Sequence, residues 1–256
     1  MPLETNNDDP IDRISPLIRP RRMPVMHQQW RNLLFLHWEV SPDLLRSLIP
    51  RELDIDTFEG RAYVGLVPFS MRGVRPKFLP SLPWLSSFHE TNVRTYVHRA
   101  GRDPGVWFFS LDAANPVAVA LARVTFGLPY FHARMTVEAA DSAGFREMIY
   151  VSERHGIWSP PARSEVRAQV DGPVQPAVPG SIEHFLVERH LLYSRRGRNF
   201  FRGQVHHKPY PLQSVHVDSV DETLLLSSGI TRPDTDPLAH FVSGVDVEVF
   251  GLTRLR

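Results

Sequence analysis

Through most of the chain, apolar and polar residues alternate with a period of two, the spacing of strands rather than helices. In Tyr130–Ala139, Phe131, Ala133, Met135 and Val137 share one face, and Tyr130, His132, Arg134 and Thr136 share the other. In Phe88–Arg99, Thr91, Val93, Thr95 and Val97 lie opposite Glu90, Asn92, Arg94 and Tyr96. Apolar or alternating runs predict further strands at Leu33–Val40, Arg61–Met71, Val106–Leu111, Phe145–Arg154, Arg163–Val170 and near 190–194, 200–207, 212–220 and 239–250. Pro68, inside one of these runs, marks a bulge or an edge.

Helical signals are fewer and shorter. Ser41-Pro42-Asp43 reads as an N-cap, a proline at the first helical position and an acid in the first turn. Asn115–Thr125 forms a second helix, and Ser181 caps a third. Gly127 ends the second helix and Pro129 forbids its continuation, so the chain passes directly into the strand that starts at Tyr130. Asp141–Gly144 is a hairpin turn, and further turns fall at Gly197 and around Pro233. The pattern therefore predicts an α+β fold, β-rich and mostly antiparallel, with a curved or barrel-like core and a few short helices. Residues 1–26 are expected to form a disordered tail, and 27–256 a single domain. The loop at 73–87 combines three prolines with Phe78, Leu79, Leu82, Trp84 and Leu85, and predicts a segment that covers something or meets a partner.

Composition narrows the function. Net charge is +1, which gives no general attraction to nucleic acid or to an anionic membrane. No apolar run approaches the length of a membrane span, and the N-terminal residues lack the apolar core of a secretory signal, so a cytoplasmic location is expected. The absence of cysteine excludes disulfides, thiolate catalysis and cysteine-bound zinc. Lys77 and Lys208 are the only lysines, which leaves few amines for imine chemistry.

If the polar faces of the two alternating strands meet, Glu90, Tyr130 and His132 form a candidate catalytic group, and Asn92, Arg94 and Arg134 a candidate ligand-binding group. Arginine clamps a carboxylate through two parallel hydrogen bonds. His and Glu move protons near neutral pH, and Tyr donates to a developing oxyanion. The implied ligand is a small carboxylate or keto acid. A buried arginine needs a carboxylate partner, so Glu90 is expected to pair with Arg94 or Arg134 when no ligand is bound. The competing reading is that both faces are solvated.

No metal or other cofactor is expected. His206 and His207 point to opposite sides of a strand, His184 and Glu188 read as a surface ion pair, and His37 reads as a hydrogen-bonded core imidazole. There is no glycine-rich phosphate loop and no Gly-x-Ser-x-Gly elbow. A homo-oligomer is compatible with the pattern.

Arg123-x-x-x-Gly127-x-Pro129-Tyr130-Phe131 resembles the acetoacetate decarboxylase signature, Arg-Glu-x-x-Gly-x-Pro-Lys-Lys. Over about Trp30 to Leu252 the chain resembles the YqjF-like family of uncharacterised bacterial proteins in the acetoacetate decarboxylase-like superfamily. That resemblance is carried by FLHWEVSPDLLRSLIP, FEGRAYVGLVPFSMRGVRP, ETNVRTYV, GVWFFSLDA, GLPYFHARM, GSIEHFLVERH and FRGQVHH. It implies a cone-like β barrel with flanking helices and an internal cavity, with Glu90 matching the superfamily's acidic partner. In the decarboxylase the first lysine of the signature forms an imine with the ketone. Here Tyr130 and Phe131 hold the lysine positions, and neither can form one. Two function classes follow: an enzyme doing cofactor-free acid–base chemistry (lyase, hydratase or isomerase), and a non-catalytic ligand-binding protein.

Overall fold

A computed structural model describes residues 11–77, 86–142, 144–156 and 159–255. The alternating runs become strands, and thirteen of them join one hydrogen-bonded sheet. The long ones are β1 (Met26–Val40), β3 (Ala62–Pro76), β4 (Phe88–Arg99), β5 (Arg102–Ala113), β6 (Tyr130–Ser142), β7 (Phe145–Arg154), β8 (Arg163–Val170), β10 (Leu191–Arg196), β11 (Asn199–His206), β12 (Pro211–Glu222) and β13 (Leu238–Leu255). β2 (Asp54–Ile55) and β9 (Gln175–Pro176) are two-residue strands. Neighbours run antiparallel except where β5 meets β6 and β10.

Two pairings turn the sheet back on itself. β4 pairs with β5 as well as β3, which completes a ring through β3, β1, β13, β11, β10 and β5. β12 pairs with β13 as well as β8, which completes a second ring through β11, β10, β5, β6 and β7. Ring closure removes most exposed strand edges. Pro68 sits where β1 and β3 lose register, between Arg31↔Ser70 and Leu36↔Leu66, so its missing N–H falls at a bulge.

The helices begin and end where their caps dictate. Ser41 caps α1 (Pro42–Leu48) by accepting from the Asp43 amide. Asn115 caps α2 (Pro116–Phe126) by accepting from the amides of Val117 and Ala118, and Gly127 ends it in the left-handed region at φ 65°. Ser181 caps α3 (Ile182–Val187), and α4 (Leu224–Ser227) is a single turn. No helix among the described residues is long and apolar enough to cross a membrane.

The two faces of β1, β3 and β4 serve different cores. Leu34, Leu36, Trp38, Val64, Leu66 and Val93 pack with β7 and β8 through Met148, Tyr150, Val166 and Ala168. Leu33, Phe35, Val67, Phe69 and Tyr96 face the interior of the first ring, where Phe185, Leu186 and Val187 of α3 join them. The face of β4 that carries Glu90, Asn92 and Arg94 is the one that carries Tyr96.

Residues 11–25, expected to lie apart from the core, are docked on it. Arg13 pairs with buried Asp56, Arg19 binds both carboxylate oxygens of Glu248 at 2.6 and 2.9 Å, and the Val25 amide donates to the Val249 carbonyl. The unreadable partners were distant: Asp56 and Glu248 lie far along the chain. Residues 1–10 of the expected tail, and 78–85 of the apolar loop, lie outside the described residues.

Candidate functional site

β4 pairs with β3 on one side and β5 on the other, so its side chains stand in the middle of a sheet rather than at an edge. Glu90, Asn92 and Arg94 are 3%, 5% and 8% exposed, so this row of the sheet does not meet water. Directly opposite them on β3 stand Phe69, Val67 and Gly65. Gly65 makes room: a Cβ there would lie 3.0 Å from His37 Cδ2 and 3.5 Å from Arg94 Cγ.

Glu90 accepts a hydrogen bond from the Tyr130 hydroxyl at 2.9 Å. The geometry follows from a short parallel contact, in which Leu111, Asp112 and Ala113 of β5 lie beside Tyr130, Phe131 and His132 of β6. Glu90 lies across from Ala113, so the first residue of β6 reaches over β5 to the carboxyl. Burial is the largest influence on Glu90 and pushes its pKa to about 8; the Tyr130 hydrogen bond opposes the rise and the Asp112 charge adds to it. Tyr130 is held well above its ordinary value, first by burial and then by Glu90. At neutral pH the pair is thus a protonated carboxyl beside a phenol.

Phe131 points the other way. Arg154 stacks over its ring at 4.0 Å and binds Asp112 through Nε and Nη2 at 2.7 and 2.9 Å. Both members of that ion pair are buried, so it braces the opposite side of the β5–β6 junction. Tyr130 and Phe131 therefore have separate tasks, one facing Glu90 and one supporting Arg154.

Arg94 donates to the Leu186 carbonyl at 3.1 Å and lies over the rings of Phe35 and Tyr96. Among the described residues no carboxylate lies within ion-pair distance of it. The Tyr96 hydroxyl donates to Leu186 O at 2.7 Å and lies 2.5 Å from His37 Nε2. His37 is fully buried, and desolvation first, then Arg94, hold its pKa well below the usual value; it is a neutral core imidazole. Asn92 Oδ1 and Arg94 Nε are buried without a hydrogen-bond partner, an unusual state for interior polar atoms.

The structure thus brings Glu90 and Tyr130 together and sets Asn92 and Arg94 in line with them on β4. It does not bring Glu90 to either arginine; Tyr130 takes the place expected for them. His132 is half-buried, with its ring 6.0 Å from that of His155, and Arg134 is exposed. The reason is topological. β6 leaves β5 after His132 and continues beside β7 alone, so its polar face turns outward. Two surface depressions, one bordered by His27, Arg75 and Glu248 and the other by Trp107, Arg123 and Arg196, do not include Glu90. The polar row lies inside the packing of the first ring.

Two groupings were not legible in the sequence. Asp112 and Arg154 lie 42 residues apart in separate strands. Glu188, His190 and His207 gather inside the first ring, all buried. Burial, the largest influence on both, pushes His190 and His207 down to about 3, so their imidazoles are neutral. The turn at Gly197 was the only signal in the sequence, and a turn alone does not say which residues beyond the strand ends face one another.

Residues 27–246 match the model of DUF2071, a family described as an uncharacterized conserved protein. The chain is 36% identical over 230 residues to the uncharacterized protein YqjF of Bacillus subtilis (strain 168), covering 90% of this chain and 92% of that one. An acetoacetate decarboxylase-like enzyme from Sphingomonas wittichii RW1 superposes with a TM-score of 0.64 at 11% identity, over 91% of this chain and 94% of that one. The enduracididine biosynthesis enzyme MppR, in complex with pyruvate, gives 0.61 at 15%, over 92% and 91%. The acetoacetate decarboxylase of Legionella pneumophila gives 0.60 at 13%, over 99% and 98%. At these identities the structural likeness establishes the fold.

Proposed function

Since the chain belongs to the uncharacterized conserved family DUF2071 and has an acetoacetate decarboxylase-like fold, we propose that it binds a small carboxylate or keto acid on the buried row of β4 and transfers protons to or from it through Glu90. One observation carries the reading. A carboxyl with its pKa near 8 is bonded to a half-buried phenol, in line with an amide oxygen and a guanidinium nitrogen that lack partners. A proton-transfer group works best when its pKa lies near the working pH. A shifted carboxyl in a dry site is also a recognised mark of catalytic positions.

Each residue has a role under this reading. Arg94 holds the anionic end of the ligand, replacing its carbonyl contact with a charged hydrogen bond. Asn92 accepts from a ligand hydroxyl or enol, or donates through its amide nitrogen to a ligand oxygen. Glu90 exchanges a proton at carbon or oxygen, and the Tyr130 hydroxyl stabilises whichever oxygen carries negative charge. No imine is involved: Tyr130 cannot form one, Lys208 is exposed, and the Lys77 ammonium lies against Met23. MppR was crystallised with pyruvate, which makes pyruvate a sensible probe here.

The test is proton–deuterium exchange at the pyruvate methyl group in D2O, followed by NMR. Exchange accelerated by the protein and abolished by Glu90→Gln supports proton transfer. Binding of pyruvate, seen as a raised Tm, with no acceleration supports the second reading, a non-catalytic binding protein. Binding and exchange both indifferent to Glu90→Gln and Arg94→Lys would remove the row from either role.

A further inference from the structure

We infer that Glu188, His190 and His207 form a binding site for a divalent transition-metal ion of the zinc type, separate from the Glu90 row. A ligand atom from each residue lies within 4.8 Å of the others, and all three residues are buried. The β10–β11 hairpin builds the cluster. Leu191 lies opposite Gln204, and the Val205 amide donates to the His190 carbonyl, so the register extended past the strand ends carries Glu188 toward His207. In the short connection between α3 and β10, Glu188 and His190 turn toward His207, whereas Arg189 between them lies over the rings of Tyr96 and Phe185 and pairs with Asp56 at 2.6 Å.

The hydrogen bonds of His207 and Glu188 suit metal ligation. His207 Nδ1 lies 2.7 Å from the Lys208 carbonyl, which fixes Nδ1 as the protonated nitrogen and leaves the Nε2 lone pair facing inward. That Nε2 and both ring nitrogens of His190 are buried and have no partner. A bound cation would take up two of these three orphaned nitrogens, His207 Nε2 and one nitrogen of His190. Glu188 Oε1 accepts from the Tyr210 amide at 2.7 Å, which orients the carboxylate; Oε2 lies 3.6 Å from His190 Nε2, too far for a hydrogen bond. A cation between these atoms would draw them onto a common centre.

The donor set selects the ion. Two imidazoles and one carboxylate suit zinc and its neighbours, and disfavour magnesium and calcium, which prefer all-oxygen shells. Three protein ligands also leave a fourth position for water or a small ligand. His206 stands near but is otherwise engaged: its Nδ1 lies 3.1 Å from the Leu17 carbonyl of the docked N-terminal segment.

The test uses the full chain, purified without a histidine tag and stripped with a chelator. Calorimetric titration with zinc chloride is expected to show one equivalent bound per chain. The zinc Kd should rise at least about tenfold in His207→Gln and in Glu188→Gln, since even loss of an outer-shell partner costs about 10- to 100-fold. His206→Ala is expected to retain binding. Failure of the stripped protein to bind one equivalent, or equal affinity in folded His207→Gln, would overturn the assignment. If the variants do not fold, X-ray absorption on the zinc-loaded parent decides alone: two imidazoles in the first shell are expected, and a shell without imidazole would overturn it.

Discussion

Glu90 is the residue on which the proposed chemistry turns, and its position has a cost. Its folded-state pKa of about 8 exceeds the ordinary 4.5, so the folded protein binds the proton more tightly than the unfolded chain. The contribution is fully present below pH 4.5 and is lost as pH rises through 8. Glu90→Gln keeps the shape without the ionisation, so its stability relative to the parent should grow from pH 5 to pH 9, by on the order of a few kcal/mol. Urea titrations across that range check this; a difference independent of pH would contradict it. Tyr130→Phe removes the hydrogen bond that favours the carboxylate and should raise the Glu90 pKa further, visible in the same pH profile. The Glu90, Asn92 and Arg94 row was readable from alternation, because period two assigns residues to a face without knowing the fold. His132 and Arg134 share parity with Tyr130, but parity does not say where a strand loses its neighbour. Arg154 and Asp112 were invisible because nothing local links them.

Among the elements, the passage from α2 into β6 decides where Tyr130 points. Gly127 ends the helix at φ 65°, and a Cβ there would lie 2.3 Å from Arg196 Cγ and 3.2 Å from the Arg195 carbonyl. Gly127→Ala combines a left-handed backbone with a collision, and should cost at least about 1 kcal/mol. The midpoint of urea unfolding measures it, and an unchanged midpoint would show that the junction is tolerant. This stop was legible, since Gly followed by Pro after an amphipathic run has one local meaning. The β10–β11 hairpin was legible as a turn at Gly197. Its consequence, the meeting of Glu188, His190 and His207, required the register, which is set by pairing rather than by the residues themselves.

At the scale of the molecule, the rings keep Glu90, Asn92 and Arg94 from water, and the N-terminal segment packs against them. Asp56 is fully buried between Arg13 and Arg189, and Arg13 also lies over the Phe185 ring of α3. Arg13→Ala should destabilise the fold by about 1–3 kcal/mol, the range for a charged hydrogen bond with a buried partner, measured as a lower Tm. The strand-rich, mostly antiparallel architecture followed from alternation and hairpin signals, whereas ring closure through β4–β5 and β12–β13 did not, since such pairings join strands by proximity in the finished fold. Closure is what removes Glu90 from water and pushes its pKa up to about 8, so the titration of that carboxyl reports on the proposed site. The measurement is a 13C NMR titration of glutamate side-chain carboxyls in the labelled protein, with Glu90→Gln identifying the signal. A midpoint near 8 is the result expected; a midpoint near 4.5 would mean that Glu90 is an ordinary solvated carboxylate and that the proposed site does not exist.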